Sequence, residues 1–233
     1  RWELFDAAMR DQALRRLELE NALRRTVRAL GDGATEAPGD ELRLHLQPEI
    51  AVEGGAVVGF EALVRWAHPE HGLLSPAEFV PLAEETGLIV PIGEWVLRRA
   101  CTEAAAWDAR GLTISVNVSA RQLVDPGFVD VVGGILRATG LRPPSLCLEL
   151  TESAVIESGA TTLSTLNGLK RLGVKLAIDD FGTGWSSLGH LRRFPLDAVK
   201  LDRSFVSGLD REPQDVSIAA AIISLAHALG LST

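Results

Sequence analysis

The chain has 233 residues, 46% hydrophobic and 23% charged, which is enough apolar mass for a full-sized core and excludes collagen-like, disordered and coiled-coil-only classes. Its 31 acidic and 23 basic residues leave a net charge of −8, so no broad cationic face awaits a nucleic acid polymer; a small anionic ligand stays open where metal ions screen the charge. The most apolar stretch, Ile218 to Ala226, is far short of the ~18 residues of a membrane span. Cys101 and Cys147 lack metal-ligand spacing and fit buried thiols in a reducing, cytoplasmic compartment.

Trp2 to Leu30 contains no proline or glycine and repeats apolar residues at Leu19, Leu23, Val27 and Leu30. Residues 1–30 are therefore expected to form a connector helix, packed by its narrow stripe on a neighbouring domain or a partner helix. Residues 31–41, with Gly31, Gly33, Pro38 and Gly39, read as a flexible linker. From residue 42 to 233 short apolar runs alternate with amphipathic segments. Strands are expected at Leu42 to Gln47, Val57 to Arg65, Leu112 to Val118, Leu146 to Leu150, Val174 to Ile178 and Ala198 to Leu201. Helices are expected at Pro76 to Thr86, Gly93 to Ala109, Pro126 to Thr139, Thr161 to Leu172 and Asp215 to Leu229. The strands look nearly all-apolar, as in a parallel sheet covered on both faces, and Glu53-Gly54-Gly55 between the first two makes a hairpin with one antiparallel strand. The class is α/β, either a (β/α) barrel or a doubly wound sheet; no Gly-x-Gly-x-x-Gly follows a strand, which disfavours the Rossmann form. Arg1 in place of Met, and an end at Thr233 where a further strand is due, suggest a piece of a longer polypeptide.

Polar groups close one strand after another: Glu61 and Arg65, Asn117, Glu149 and Glu152, Asp179 and Asp180, Lys200 and Asp202. Each alone reads equally as a helix cap. Together they converge on the rim where parallel barrels keep their catalytic residues. So many oxygens in one place need cations, and hard oxygen ligands without His or Cys select Mg²⁺ or Mn²⁺, or inhibitory Ca²⁺, over zinc. Two ions about 3.5–4 Å apart can activate a water and stabilise in-line displacement at phosphorus, so metal-assisted phosphodiester hydrolysis is the expected chemistry. Lys200 is one of only three lysines among the 23 basic residues, and an ammonium can orient such a water or take its proton; the alternative is a structural pair with a rim carboxylate. Asp180-Phe-Gly-Thr-Gly184 reads as a glycine loop beside the site, with Trp185 as a ligand neighbour. His68-Pro-Glu-His71 reads as a surface turn and not a zinc site.

Glu61-Ala-Leu63 with Val-Arg65-Trp66 resembles the signature of the EAL domain, the bacterial phosphodiesterases that linearise cyclic di-GMP to pGpG. Ser115-Val-Asn117-Val-Ser119, Leu148-Glu149-Leu-Thr151-Glu152-Ser153, Ile178-Asp179-Asp180-Phe-Gly-Thr-Gly184 and Val199-Lys200-Leu-Asp202 resemble that family in order and spacing. The resemblance implies a TIM-type barrel with one antiparallel strand, two Mg²⁺ or Mn²⁺ ions, and a homodimer through helices near the Asp-Asp-Phe-Gly loop. By motif, Glu61, Asn117, Glu149 and Asp179 would bind the first ion and Asp180 the second. Lys200 would activate the water, Glu152 would hold the glycine loop, and Gln47 and Arg65 would contact the ligand. Residues 1–30 resemble the connector that follows a GGDEF domain in tandem proteins, which implies such a module upstream. Leu46 and Trp185 stand where the family usually has Tyr. A further acidic motif and the last two strands would lie beyond Thr233, so this fragment by itself is expected to be inactive. The alternative to turnover is a receptor that binds cyclic di-GMP without cleaving it.

Overall fold

The computed structural model describes residues 7–31, 41–157, 159–182, 193–209 and 213–233. The expected linker falls almost wholly outside these residues, as do Thr183, Gly184 and Trp185 of the glycine loop. Helix α1 (Ala7–Ala29) leads to the hairpin β1 (Leu42–Ile50) and β2 (Val57–His68), then a short β3 (Gly72–Leu74) and helices α2 (Pro76–Thr86) and α3 (Ile89–Ala105). Strand β4 (Thr113–Val118), helices α4 (Ala120–Leu123) and α5 (Phe128–Thr139), strand β5 (Leu146–Thr151), helices α6 (Glu152–Glu157) and α7 (Gly159–Leu172), and strand β6 (Lys175–Phe181) follow. The described chain closes with β7 (Ala198–Leu201), α8 (Arg203–Val206) and α9 (Pro213–Ala228).

The seven strands make one sheet in the order β1-β2-β4-β5-β6-β7. β1 runs antiparallel to β2, and all later neighbours on that path are parallel. β3, absent from the sequence reading because three residues carry no period, adds a second antiparallel pairing to the end of β2. Past α9 the chain returns to the sheet, where Ser232 makes a parallel bridge to Ala198 of β7. Among the described residues no ladder joins β1 to β7.

Alternation along each strand decides what the two faces do. Leu42, Ala62, Trp66, Ile114, Val116, Leu146, Leu148, Leu150 and Leu176 point outward into the main apolar cluster, which the helices complete with Phe79, Ile92, Leu97, Leu123, Ile135 and Leu166. The inner face of β1 and β2 carries Arg43, His45, Gln47, Glu61, Leu63 and Arg65, all partly or fully open to solvent, so these two strands alternate where the sequence suggested burial on both faces. β5 is the strand that comes closest to the all-buried reading, with five of its six residues buried.

Helix α2 shows how local sequence fixes an element beside the site. Ser75 and Glu78 form a capping box, Pro76 occupies the first turn, and Gly87 ends the helix at φ +77°, a conformation that suits glycine. Phe79, on its inner face, is fully buried and meets Trp66 edge-on at 5.8 Å, so Phe79→Ala would cost about 3–5 kcal/mol. Helix α1 lies against this region. Leu19, Ala22, Leu23 and Leu30 join the main cluster, the Thr26 hydroxyl donates to Glu41, and Arg16 pairs with Glu85. The stripe read from the sequence is therefore satisfied within this chain.

Residues His68 to His71 do form a turn, but His68 is buried and not on the surface. Its Nδ1 accepts the backbone N–H groups of Glu70 and His71 at 3.1 and 3.2 Å, and its ring packs edge-on against Trp66. The imidazole is spent on closing the β2–β3 turn, which is why proline inside the motif fits. Burial, reinforced by the stacked His71 and by Arg25 and opposed by Glu70 and Glu41, holds its pKa below the ordinary value.

Candidate active site

Three carboxylates from three different strands meet at the C-terminal ends of the parallel strands. Glu61 of β2, Glu149 of β5 and Asp179 of β6 each offer an oxygen within 4.8 Å of the other two. Register explains the convergence: Gln47 pairs with Glu61, Glu61 with Ser115, Asn117 with Glu149, and Thr151 with Asp179, so one inner face carries them all. Asn117 donates its amide to Glu61 at 2.8 Å. From β7, the Lys200 ammonium reaches Glu149 at 2.7 Å, Glu61 at 3.0 Å and Asp179 at 3.7 Å.

The electrostatics follow from burial. Glu149 is 1% exposed, and the loss of water pushes its pKa up to about 7; Glu61 and Asp179 push the same way, and Lys200 only partly offsets them. Burial alone would lower the Lys200 pKa, yet Glu149, Asp179 and Glu61 outweigh it and hold the ammonium above its ordinary range. Three acidic oxygens and an amide, with no His or Cys, make a donor set suited to a hard divalent cation. The residues therefore fit the metal that their chemistry implies.

The other candidate residues fall around this cluster. Asp180 is the non-glycine residue with positive φ, at 53°, among those described, and it lies where the β6–β7 register shifts between Ile178 and Phe181. Burial, then Asp179 and Asp202, raise its pKa, and it shares a hydrogen bond with Asp202, the cap of α8. Glu152, the first residue of α6, is buried with neither carboxylate oxygen hydrogen-bonded. Gln47 stands across the hairpin from Glu61, and Arg65, four residues beyond Glu61, bends one N–H to the Val64 carbonyl at 2.8 Å. An apolar recess of about 290 Å³ behind β2 and β4 is walled by Val64, Val80, Ile92 and Val96 and bordered by Asn117, Ser119 and Thr151.

Sequence reasoning missed the lower inner face. Ser115, 3% exposed, donates to Glu49 at 3.0 Å, and the Cys147 thiol nearby is pushed up to about 12 by burial and then by Glu149 and Glu49. Period-2 alternation puts Glu49 on the face of Gln47 and Ser115 on the face of Asn117, but no local signal in either strand pairs the two. Both cysteines are free and buried, as expected. No described helix is long and apolar enough to cross a membrane.

A mostly parallel sheet with an antiparallel first strand, helices on its outer face and an acidic, lysine-bridged cluster on its inner face is the architecture of a TIM-like barrel with a group able to hold a metal ion. The description "EAL domain" matches residues 32–233, and the chain belongs to that family. MucR of Pseudomonas aeruginosa, named a bifunctional diguanylate cyclase/cyclic di-GMP phosphodiesterase, is 41% identical over 230 residues, 97% of this chain and 32% of MucR. NbdA of the same organism, named a cyclic di-GMP phosphodiesterase, is 42% identical over 232 residues, 98% of this chain and 28% of NbdA. The chain thus spans about a third or less of these relatives. The solved c-di-GMP complex of the PaMucR phosphodiesterase matches with a TM-score of 0.82 at 41% identity, covering 92% of this chain and 84% of that one.

Proposed function

We propose that this chain is the phosphodiesterase unit that opens cyclic di-GMP to linear pGpG by metal-dependent hydrolysis. The observation that carries the reading is the meeting of Glu61, Glu149 and Asp179 within 4.8 Å around Lys200. Glu61, Asn117, Glu149 and Asp179 would hold one Mg²⁺ or Mn²⁺ and Asp180 a second. Bound there, divalent ions supply Lewis acidity toward phosphoryl oxygen and lower the pKa of a water.

The chain's own groups do the rest. Lys200 places a fixed positive charge beside the carboxylates, where it orients the attacking water and neutralises developing charge on phosphate oxygen. Glu152 follows directly on Thr151, the β5 pair of Asp179, and keeps two buried, unpartnered oxygens, which suits accepting N–H groups of the glycine loop. Gln47 and Arg65 offer an amide and a guanidinium to the ligand, and the recess beside Asn117 offers apolar walls to a planar base. Presence of Lys200 together with Glu61, Asn117, Glu149, Asp179 and Asp180 favours turnover over a receptor that only binds.

The proposal extends to a GGDEF-like module ahead of α1, supported by the two activities in the name of MucR, to a homodimer through helices near the Asp-Asp-Phe-Gly loop, and to a cytoplasmic setting. The test is mass spectrometry of cyclic di-GMP incubated with Mn²⁺ and the complete protein that carries this chain. Release of pGpG that disappears in Glu61→Ala, with melting unchanged within about 2 °C, is expected, because a rim carboxylate contributes little to packing. Equal release by that variant would overturn the assignment.

A further inference from the structure

We propose that Arg43 is a second cationic contact for the ligand, acting with Arg65 on the phosphodiester that is not cleaved. The inference rests on the phosphodiesterase reading and adds to it a residue that none of the EAL motifs contains.

The β1–β2 ladder places Arg43 directly opposite Arg65 and Gln47 directly opposite Glu61. Leu42, Leu44 and Leu46 pack on the apolar cluster, so Arg43, His45 and Gln47 take the other face, the one that carries Glu61 and Arg65. Like charges directly opposite each other on one face destabilise a strand pair, and an anion between them reverses the sign. Arg65 commits one N–H to the Val64 carbonyl and keeps the other donors of its guanidinium. Arg43 is exposed and has a partner of its own in the structure; five N–H donors allow a guanidinium to serve more than one acceptor.

A cyclic dinucleotide carries two phosphodiesters. One must reach the Glu61, Glu149 and Asp179 cluster, and the other needs positive charge elsewhere on a chain whose net charge is −8. Arg65 stands four residues, or ~13 Å of strand, beyond Glu61, and its long side chain can reach back toward the cluster. Lys200 is occupied by the carboxylates, which leaves the two facing arginines as the cation pair of the β1–β2 rim.

The uncleaved phosphodiester is the same in substrate, transition state and product. Contacts to it lower KM without raising kcat. Arg43→Gln should therefore weaken both cyclic di-GMP and pGpG about tenfold, the usual scale for losing one partly exposed charged contact, and leave kcat within about twofold.

The experiment uses the complete protein carrying this chain, with Ca²⁺ replacing Mn²⁺ for titration calorimetry and Mn²⁺ restored for kinetics. Arg43→Lys should recover part of the affinity and Arg43→Glu should lose more than Gln does. Unchanged affinity for both nucleotides, or a fall in kcat at constant affinity, would overturn the role of Arg43 and leave the phosphodiesterase reading intact. No binding of cyclic di-GMP by the unaltered protein would overturn both.

Discussion

Lys200→Met removes the one ammonium that touches all three clustered carboxylates while keeping an unbranched side chain of similar length. With their oxygens within 4.8 Å, each pair of ionised carboxylates repels by about 3.5 kcal/mol at an effective dielectric near 20. That sum is a ceiling, because Glu149 already titrates at about 7 and relieves the repulsion by taking a proton. Loss of one partner of a largely buried ion pair costs about 3–5 kcal/mol, and Lys200 is 30% exposed, so a net cost of about 2–3 kcal/mol is the reasonable figure in chelator. For a chain of this length that lowers Tm by roughly 4–12 °C. The sign with pH is fixed by Glu149. Its folded pKa is raised above the ordinary 4.5, so the stability that depends on the protonated form is present below about 4.5 and lost as pH rises toward about 7. Lys200→Met raises that pKa further, so its defect should be larger at pH 8 than at pH 5.5. Mn²⁺ should restore the melting temperature at pH 8, since a dication replaces the missing charge, but should not restore hydrolysis, and Kd for cyclic di-GMP should change little. Thermal melts at the two pH values with chelator or Mn²⁺, beside pGpG release, read all of this. Melting identical to the unaltered protein in chelator at pH 8 would refute the electrostatic account.

His68→Ala should cost about 1–3 kcal/mol, because two backbone N–H groups of the β2–β3 turn lose their acceptor and Trp66 loses an edge contact. His68 has a depressed pKa, so its contribution should be full above pH 6.5 and decline as pH falls below it; denaturant midpoints across pH 5–8 should show this slope in the unaltered protein and a smaller one in the variant. Gly93→Ala should destabilise by about 1–3 kcal/mol, since the added methyl would lie 2.3 Å from the Gln122 amide, which the Ser119 capping box holds in place; an unchanged urea midpoint would show that Gln122 moves freely.

Much of this site was legible because strand ends and period-2 spacing are local properties. The six strands of the main path, and the convergence of Glu61, Asn117, Glu149, Asp179 and Lys200, follow from polar groups that close successive apolar runs. The residues that escaped are those whose position depends on tertiary pairing. β3 exists because Trp66 to His68 offers an edge to Gly72–Leu74, and three residues carry no pattern of their own. His68 is buried because Trp66 and the turn enclose it, although the local sequence of proline and charge reads as surface. The start of α3 at Ile89, four residues ahead of the sequence reading, reflects Ile89 and Ile92 packing into the core before Gly93. Ser115 and Glu49 were invisible because a hydroxyl and a carboxylate 66 residues apart become partners only through the β1-β2-β4 register.

The division between the two faces of the sheet explains why this fold can hold so dense a charge cluster. Ordinary barrels fill their interior with branched apolar side chains. Here the apolar clusters draw their strand residues from the outer face, while the inner positions carry Glu49, Glu61, Arg65, Ser115, Asn117, Glu149, Asp179 and Lys200. Folding is driven by the contact between strands and helices, where Trp66, Phe79, Leu97, Ile114, Leu148 and Leu150 lie almost wholly out of water. The inner face is then free to be shaped by electrostatics, and its carboxylates are held in place by strands whose positions were fixed from the other side. Substitutions on the two faces should separate accordingly: inner-face changes move ion and ligand binding first, and outer-face changes move stability first.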